Sequence, residues 1–129
     1  MQYRKAKFVS ALMLVLITQT TARADTAIIG VGSNTCAQFA QDYKTYSETA
    51  ESGYFGWAQG FMSGFNGSLL WTKQPTRNLA STSLKEQQIR IRFYCDQHPL
   101  NVYMQAVLDL FNSLPLVPPP DLHTTKQRS

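Results

Sequence analysis

The segment YFGWAQGFMSGFNGSLLW, residues 54–71, limits the kinds of domain that this chain can form. Five of the seven glycines of the protein lie within residues 53–67, and each glycine in a helix costs about 1 kcal/mol relative to alanine. Three glycines nevertheless recur every four residues, with three aromatic residues beside them at the same spacing: Gly56, Gly60, Gly64, Trp57, Phe61 and Phe65. This spacing predicts a helix that is apolar almost all round, with a groove of glycines that another helix backbone can approach closely.

A helix of this kind either lies at the centre of a helical bundle or carries an exposed contact surface. The helix can be part of the core and also a contact surface if it faces a second copy of the chain, so the sequence allows a homodimer. Where the helix meets a partner or an unfolded client protein, its large apolar side chains supply the contact. The predicted partner-binding residues are Tyr54, Trp57, Phe61, Met62 and Phe65.

The residues before this segment also have a helical pattern. Apolar side chains fall at positions i, i+3, i+4 and i+7, which share one face of a helix: Cys36, Phe39, Ala40 and Tyr43. We expect this first helix to begin after an N-cap at Thr35 or Asn34 and to end at about Ala50.

A third helix is predicted after a polar loop at residues 72–82. Ser83 followed by Glu86 forms a capping box, which predicts a helix through Cys95. The alternation of apolar and charged residues at 89–93 is also typical of a strand, but the capping box favours the helix.

A fourth helix is indicated by an apolar stripe with a helical period. We expect Pro99 in its first turn and Pro115 just after its end. The stripe consists of Tyr103, Ala106, Val107, Leu110, Phe111 and Leu114. The predicted fold is therefore a small all-α domain of four helices.

Residues 1–24 have the three parts of a bacterial secretory signal peptide: a basic start, a short apolar run and a small-x-small cleavage sequence ending at Ala24. The apolar run is shorter than the roughly 20 residues that span a bilayer. We therefore expect cleavage after Ala24 and a periplasmic or secreted protein without stable membrane insertion; an uncleaved anchor is the alternative. The mature chain is divided into a flexible leader at 25–34, the helical domain at 35–114 and a Pro-rich disordered tail at 115–129.

Net charge excludes one class of partner. Of the twelve Lys and Arg residues, four lie within residues 1–24, so eight remain in the mature chain against eight Asp and Glu. Nucleic-acid binding requires a basic surface that persists after processing. We therefore expect no nucleic-acid partner.

The two cysteines, Cys36 and Cys95, both lie in the mature chain. Because exported proteins fold in an oxidising compartment, one disulfide between them is the simplest arrangement, and two free buried thiols are the alternative. A bond that closes a loop of about 60 residues stabilises a fold by roughly 4 kcal/mol. The sequence has no CxxC motif, which argues against a redox enzyme.

The sequence offers little that could form a catalytic centre. It has no HExxH motif, no pair of histidines four residues apart and no cysteine cluster, so we expect neither a metal nor a cofactor. His98 and His123 are predicted to be capping or exposed side chains, and Ser63 lies one residue out of step with a GxSxG elbow. The carboxylates are scattered, which leaves an acid–base pair as the alternative to a non-enzymatic binding protein.

Two short motifs and the helix between them resemble a known family. TCAQF at residues 35–39, the aromatic helix that contains Trp57, and YCDQHP at residues 94–99 are similar to the HdeA/HdeB family of small periplasmic proteins. The resemblance covers residues 35–114. It implies an exported all-α protein with a disulfide between Cys36 and Cys95 that acts as an acid-activated chaperone.

Charge changes in acid allow such a mechanism. In strong acid the eight carboxylates become neutral, while eight Lys and Arg and two His carry positive charge, so the mature chain moves from about 0 to about +10. Self-repulsion then favours opening or dissociation, and the disulfide limits the unfolding. We expect opening to expose residues 54–71 to the apolar segments of other unfolding proteins.

A second resemblance implies a different function. The glycine-patterned helix, followed by His98, Pro99 and a regular apolar stripe, is similar to the Tai-type immunity proteins, which are periplasmic helical proteins that neutralise cell-wall amidase effectors. This resemblance implies one specific cell-envelope partner, bound at neutral pH.

Overall fold

A computed structural model of the protein describes residues 27–119. It contains four α-helices: α1 Cys36–Thr45, α2 Ser47–Trp71, α3 Leu84–Gln97 and α4 Tyr103–Ser113. A 3-10 helix, Gly30–Ser33, precedes α1, and two short strands, β1 Thr76–Arg77 and β2 Leu116–Val117, form an antiparallel pair. The prediction of an all-α domain of four helices is confirmed.

The core forms where one face of each helix meets the others. Its buried residues include the whole predicted stripe of α4, and they are Cys36, Phe39, Tyr54, Phe55, Ala58, Met62, Ile91, Cys95, Tyr103, Ala106, Val107, Leu110, Phe111 and Leu114. The aromatic rings pack edge to face at its centre: the Tyr103 centroid lies 5.0 Å from that of Phe39 and 4.9 Å from that of Tyr54. Such contacts fix the mutual orientation of α1, α2 and α4.

The predicted disulfide is present and joins α1 to α3 through Cys36 and Cys95. Both cysteines are buried, so the covalent link lies within the core. It spans 59 residues of sequence and encloses the whole of α2.

The first helix differs from its prediction in length. It ends at Thr45 rather than at about Ala50, because Tyr46 leaves the helical conformation with φ −138° and ψ 51°. The chain re-enters a helix at Ser47, with Glu48 in the first turn of α2, where a negative charge is favourable. The glycine-rich helix is therefore 25 residues long and begins before residue 54.

Both caps that the sequence predicted for α1 and α3 form. Thr35 Oγ1 accepts a hydrogen bond from the Gln38 amide, and Ser83 Oγ accepts one from the Glu86 amide. Residues 89–93, whose alternation is also typical of a strand, thus lie within helix α3. It ends two residues beyond Cys95, and His98 is its C-cap residue.

The predicted position of Pro99 in the first turn of the fourth helix is wrong. Helix α4 begins at Tyr103, and Pro99 lies in the turn before it. The carbonyl groups of Pro99 and Asn101 accept hydrogen bonds from the amides of Ala37 and Cys36. This turn therefore satisfies the first amides of α1, which no residue within that helix can bond.

The chain after α4 is more ordered at its start than the sequence suggests. β2 pairs with β1, with Thr76 opposite Val117, in segments predicted as a tail and a loop. The side-chain amide of Asn66 donates to the Arg77 carbonyl at 2.8 Å, and its oxygen accepts from the Arg77 amide at 2.9 Å. These bonds attach β1 to α2. The rest of the predicted tail, residues 120–129, lies outside the described residues, as does the predicted signal peptide.

Candidate functional site

The inward face of α2 contains two of the five predicted partner-binding residues. Tyr54 and Met62 are buried in the core, so neither is available for contact in the folded domain. Phe55 and Ala58 complete this face.

The other three predicted residues form a row along one edge of α2. The Trp57 and Phe61 rings stack with centroids 5.2 Å apart, and the Phe61 and Phe65 rings stack at 6.2 Å. Trp57 and Phe61 are half-buried, and Phe65 is exposed at 44% of its surface. We call these three residues the aromatic row.

A glycine before α1 holds the start of this row. Gly32, in the segment predicted to be a flexible leader, is buried against the Trp57 indole: a Cβ at this position would lie 2.0 Å from Trp57 Cζ2. Only glycine permits this approach. The 3-10 helix Gly30–Ser33 thus covers one face of Trp57.

The glycines of α2 face outward. A Cβ placed on any of them would meet no atom of residues 27–119 within 4 Å, outside the adjacent backbone. No helix of the described chain lies in the predicted glycine groove, so the close helix contact that we expected there is not made within one molecule. We call this face the glycine stripe, and it consists of Gly53, Gly56, Gly60, Gly64 and Gly67.

A polar network connects α1 to α2 at the edge of the core. The Tyr54 hydroxyl donates to Asp42 Oδ2 at 2.7 Å and accepts from Asn34 Nδ2 at 2.7 Å. Burial raises the pKa of Tyr54 above its ordinary value; the hydrogen bond from Asn34 lowers that pKa, and the Asp42 carboxylate raises it. The neutral tyrosine is therefore the form that the fold favours.

An ion pair connects α2 to α3. Arg92 Nη1 donates to Glu51 Oε1 and also to the Tyr43 hydroxyl, the latter at 3.1 Å, and the guanidinium lies 5.2 Å from the centroid of the Tyr43 ring. Both charged side chains are about four-fifths buried. One cation thus joins α1, α2 and α3 near the amino-terminal end of α2.

The structure contains a groove that the sequence analysis did not identify. It lies between α3 and α4, has a volume of about 540 Å³, and presents exposed apolar side chains of α3: Phe93 is 63% exposed and Ile89 44%. Other residues around it are Glu86, Arg90, Tyr94, Gln97, His98, Asp109, Leu110 and Ser113. The available signal was the i, i+4 spacing of Ile89 and Phe93, which places both on the face of α3 that turns away from buried Ile91.

Polar groups surround the apolar part of this groove. Arg90 Nε donates to Glu86 Oε1 at 3.1 Å on the α3 side, and Asp109 lies on the α4 side. His98 packs against Tyr94 with ring centroids 4.5 Å apart. Exposed apolar side chains with polar groups beside them are the usual anatomy of a protein-binding patch.

No protein-family model, curated protein or solved structure matches the chain.

The remaining chemistry of residues 27–119 is sparse. Within this range no three His, Cys, Asp or Glu side chains come together in a way that could hold a metal ion. Ser63 is an exposed residue on α2, and His123 lies outside the described residues. Among the helices between residues 27 and 119, none combines the length and the apolar character that crossing a membrane requires.

Proposed function

We propose that the protein is an exported, non-enzymatic binding protein that holds one specific protein partner in the α3–α4 groove at neutral pH. The observation that carries this proposal is the exposure of Phe93 and Ile89 beside a groove of about 540 Å³ in the folded domain. Large apolar side chains that remain exposed next to a concavity are typical of interaction sites. No unfolding is needed to make them available.

The groove defines the chemistry of its partner. Phe93 and Ile89 offer apolar contact, while Glu86, Arg90 and Asp109 offer charges of both signs at the edge. The partner is therefore a protein segment that inserts an apolar or aromatic side chain and carries polar groups beside it. Such an anchor with a polar rim gives specificity for one protein rather than for unfolded chains in general.

Export is part of the proposal. The buried disulfide between Cys36 and Cys95 suits an oxidising compartment, and residues 1–24 have the pattern of a signal peptide. A periplasmic protein with one specific envelope partner is also what the resemblance to Tai-type immunity proteins implies.

Acid-activated chaperone activity, with loose client preference, is the second candidate. The polar links between helices favour it, because two of them depend on carboxylates: Asp42 accepts from Tyr54, and Glu51 pairs with Arg92. Strong acid neutralises carboxylates in general, whereas a guanidinium stays positive. Loosening α1 and α3 from α2 would then expose buried side chains of α2, Tyr54 and Met62, to unfolding clients.

The groove is tested by substitutions at neutral pH. Phe93→Ser and Ile89→Ser remove apolar contact from the groove, and Leu100→Ser is the matched control because Leu100 is 87% exposed and lies outside the groove. Immobilised wild-type protein and the control should retain the same envelope protein at pH 7, and the two groove variants should bind that purified protein at least tenfold more weakly. Equal binding by all four proteins would contradict the proposal.

The second candidate has a separate test at low pH. Light scattering of an aggregation-prone periplasmic extract is followed at pH 2 to 3 with and without the protein, and then after neutralisation. An acid chaperone suppresses the scattering, and a variant carrying both Trp57→Ser and Phe61→Ser does not. Unchanged scattering, with no change in tertiary structure or apolar dye binding between pH 7 and pH 2, would exclude this candidate.

A further inference from the structure

The outward face of α2 is unusual for a helix surface in water. Residues 52–71 contain no charged side chain, and the glycine stripe runs along the middle of this face with open space above every member. Five glycines cost the helix about 5 kcal/mol relative to alanine. No contact within residues 27–119 uses the space that the missing side chains leave.

The glycine stripe is symmetric about Gly60. Gly56 and Gly64 lie four residues to either side of it, and Gly53 and Gly67 lie seven residues to either side. A twofold contact between identical helices requires that residue i meets residue j and that j meets i. An antiparallel pair of α2 helices with its axis at Gly60 meets this requirement at every glycine of the stripe.

The two ends of α2 also match each other. Trp71, eleven residues after Gly60, is 90% exposed. Thr49, eleven residues before Gly60, borders a pocket of about 260 Å³ whose other lining residues are Val31, Asp42, Tyr46, Ala50, Gly53 and Tyr54. A cavity of about 150 Å³ holds a benzene molecule, so this pocket has room for an indole ring.

We propose that α2 is the interface of a homodimer in which two copies pack antiparallel about Gly60 and Trp71 of each copy fills the pocket beside Thr49 of the partner subunit. The glycine stripe lets the two backbones approach closely, and the absence of charge in residues 52–71 avoids like-charge repulsion on the axis. Beyond the stripe, the carboxyl end of α2 in one copy, which Lys73 follows, lies against the amino end of α2 in the other copy, which carries Glu48. Opposite charges therefore meet at both edges.

The contact area is sufficient for a dimer of moderate affinity. A helix of 25 residues is about 37 Å long, and a strip about 10 Å wide along it, with about 200 Å² from Trp71, gives roughly 1,100 Å² for the pair. This area lies near the lower end of specific interfaces, so we expect a dissociation constant in the range of about 1 to 100 µM. The proposed dimer leaves the α3–α4 groove free and does not depend on the function assigned to that groove.

Sedimentation equilibrium of the oxidised mature protein at pH 7 tests the dimer. Wild-type protein should show a monomer–dimer equilibrium, Gly60→Leu should be monomeric, and Trp71→Ser should raise the dissociation constant at least tenfold. Gly60→Leu favours the helix and its Cβ meets open space, so loss of the dimer would not reflect unfolding. Gln105→Leu adds the same side chain to an exposed position on α4 and should dimerise like the wild type.

Single cysteines test the register. Gly60→Cys should form a disulfide-linked dimer in air, because residue 60 faces its own copy across the axis. A solution of Gly53→Cys alone, or of Gly67→Cys alone, should form no crosslinked dimer, because the two copies of residue 53 are about 21 Å apart. A mixture of the two variants should form one, because residue 53 of one copy faces residue 67 of the other. A monomer at every concentration, a dimer unaffected by Gly60→Leu, or crosslinking of Gly53→Cys alone would overturn the proposal.

Discussion

Replacing Gly32 by alanine should destabilise the fold although it adds a single methyl group. The new Cβ would lie 2.0 Å from Trp57 Cζ2 and 2.2 Å from Cη2, whereas an ordinary contact between carbon atoms is about 3.5 Å. The indole must therefore retreat by about 1.5 Å. Phe61 stacks on it at 5.2 Å and Tyr103 meets it edge-on at 6.2 Å, so the ring has little room to move.

Overpacking of this kind lowers the free energy of unfolding by about 1 to 3 kcal/mol. For a domain of this size a loss of 2 kcal/mol lowers Tm by roughly 10 °C. Urea unfolding followed by tryptophan fluorescence measures the free energy of unfolding, and protein at about 1 µM limits the contribution of self-association.

Gly56→Ala is the matched control, since its Cβ meets no described atom within 4 Å. It should stabilise the monomer by about 0.5 to 1 kcal/mol, because alanine favours a helix over glycine. If Gly32→Ala were as stable as the wild type, the contact between the 3-10 helix and Trp57 would not exist in solution.

Two further predictions concern the core. Replacing both Cys36 and Cys95 by alanine should lower the free energy of unfolding by about 4 kcal/mol, because the disulfide closes a loop between residues 59 positions apart. A loss below about 1 kcal/mol, measured by urea unfolding, would contradict this chain-entropy argument. Burial raises the pKa of Tyr103 above its ordinary value of 10.0. The stability that this residue contributes is therefore fully present below pH 10 and is lost as the pH rises towards the folded-state pKa. The free energy of unfolding falls over that range by up to about 1.4 kcal/mol per pH unit. Tyr103→Phe should therefore make the decline in stability above pH 10 less steep than in the wild type, and an unchanged slope in urea unfolding at several alkaline pH values would contradict the burial of this hydroxyl.

Local signals made most of the helices predictable. Ser83 and Glu86 marked the start of α3 because a cap requires only neighbouring residues. The stripe from Tyr103 to Leu114 identified α4 because its period alone separates buried from exposed positions. The disulfide was predicted from two cysteines in a chain whose residues 1–24 have the pattern of a signal peptide.

Features that depend on distant residues were not predictable in the same way. Pro99 has the local chemistry of a first helical turn, but its carbonyl is used by Ala37 of α1. The strands β1 and β2 have two residues each, too few for a period, and side-chain bonds from Asn66 hold β1 in place.

In the candidate site, too, local features were predictable and features that depend on distant residues were not. The sequence identified α2 as the unusual helix, but apolar character alone did not distinguish buried Met62 from exposed Phe65. In the sequence, Phe93 and Ile89 belong to the alternation of apolar and charged residues at 89–93, which indicates no surface. Their exposure beside α4 depends on how the two helices pack, which no local pattern specifies.

Site-specific photocrosslinking tests the proposed function most directly. A photoreactive phenylalanine analogue at position 93, in cells that produce the protein at neutral pH, should give one discrete crosslinked product with another protein, and the same analogue at position 100 should not. Broad adducts with many proteins, products that appear only in acid, or identical products from positions 93 and 100 would contradict a specific partner in the α3–α4 groove.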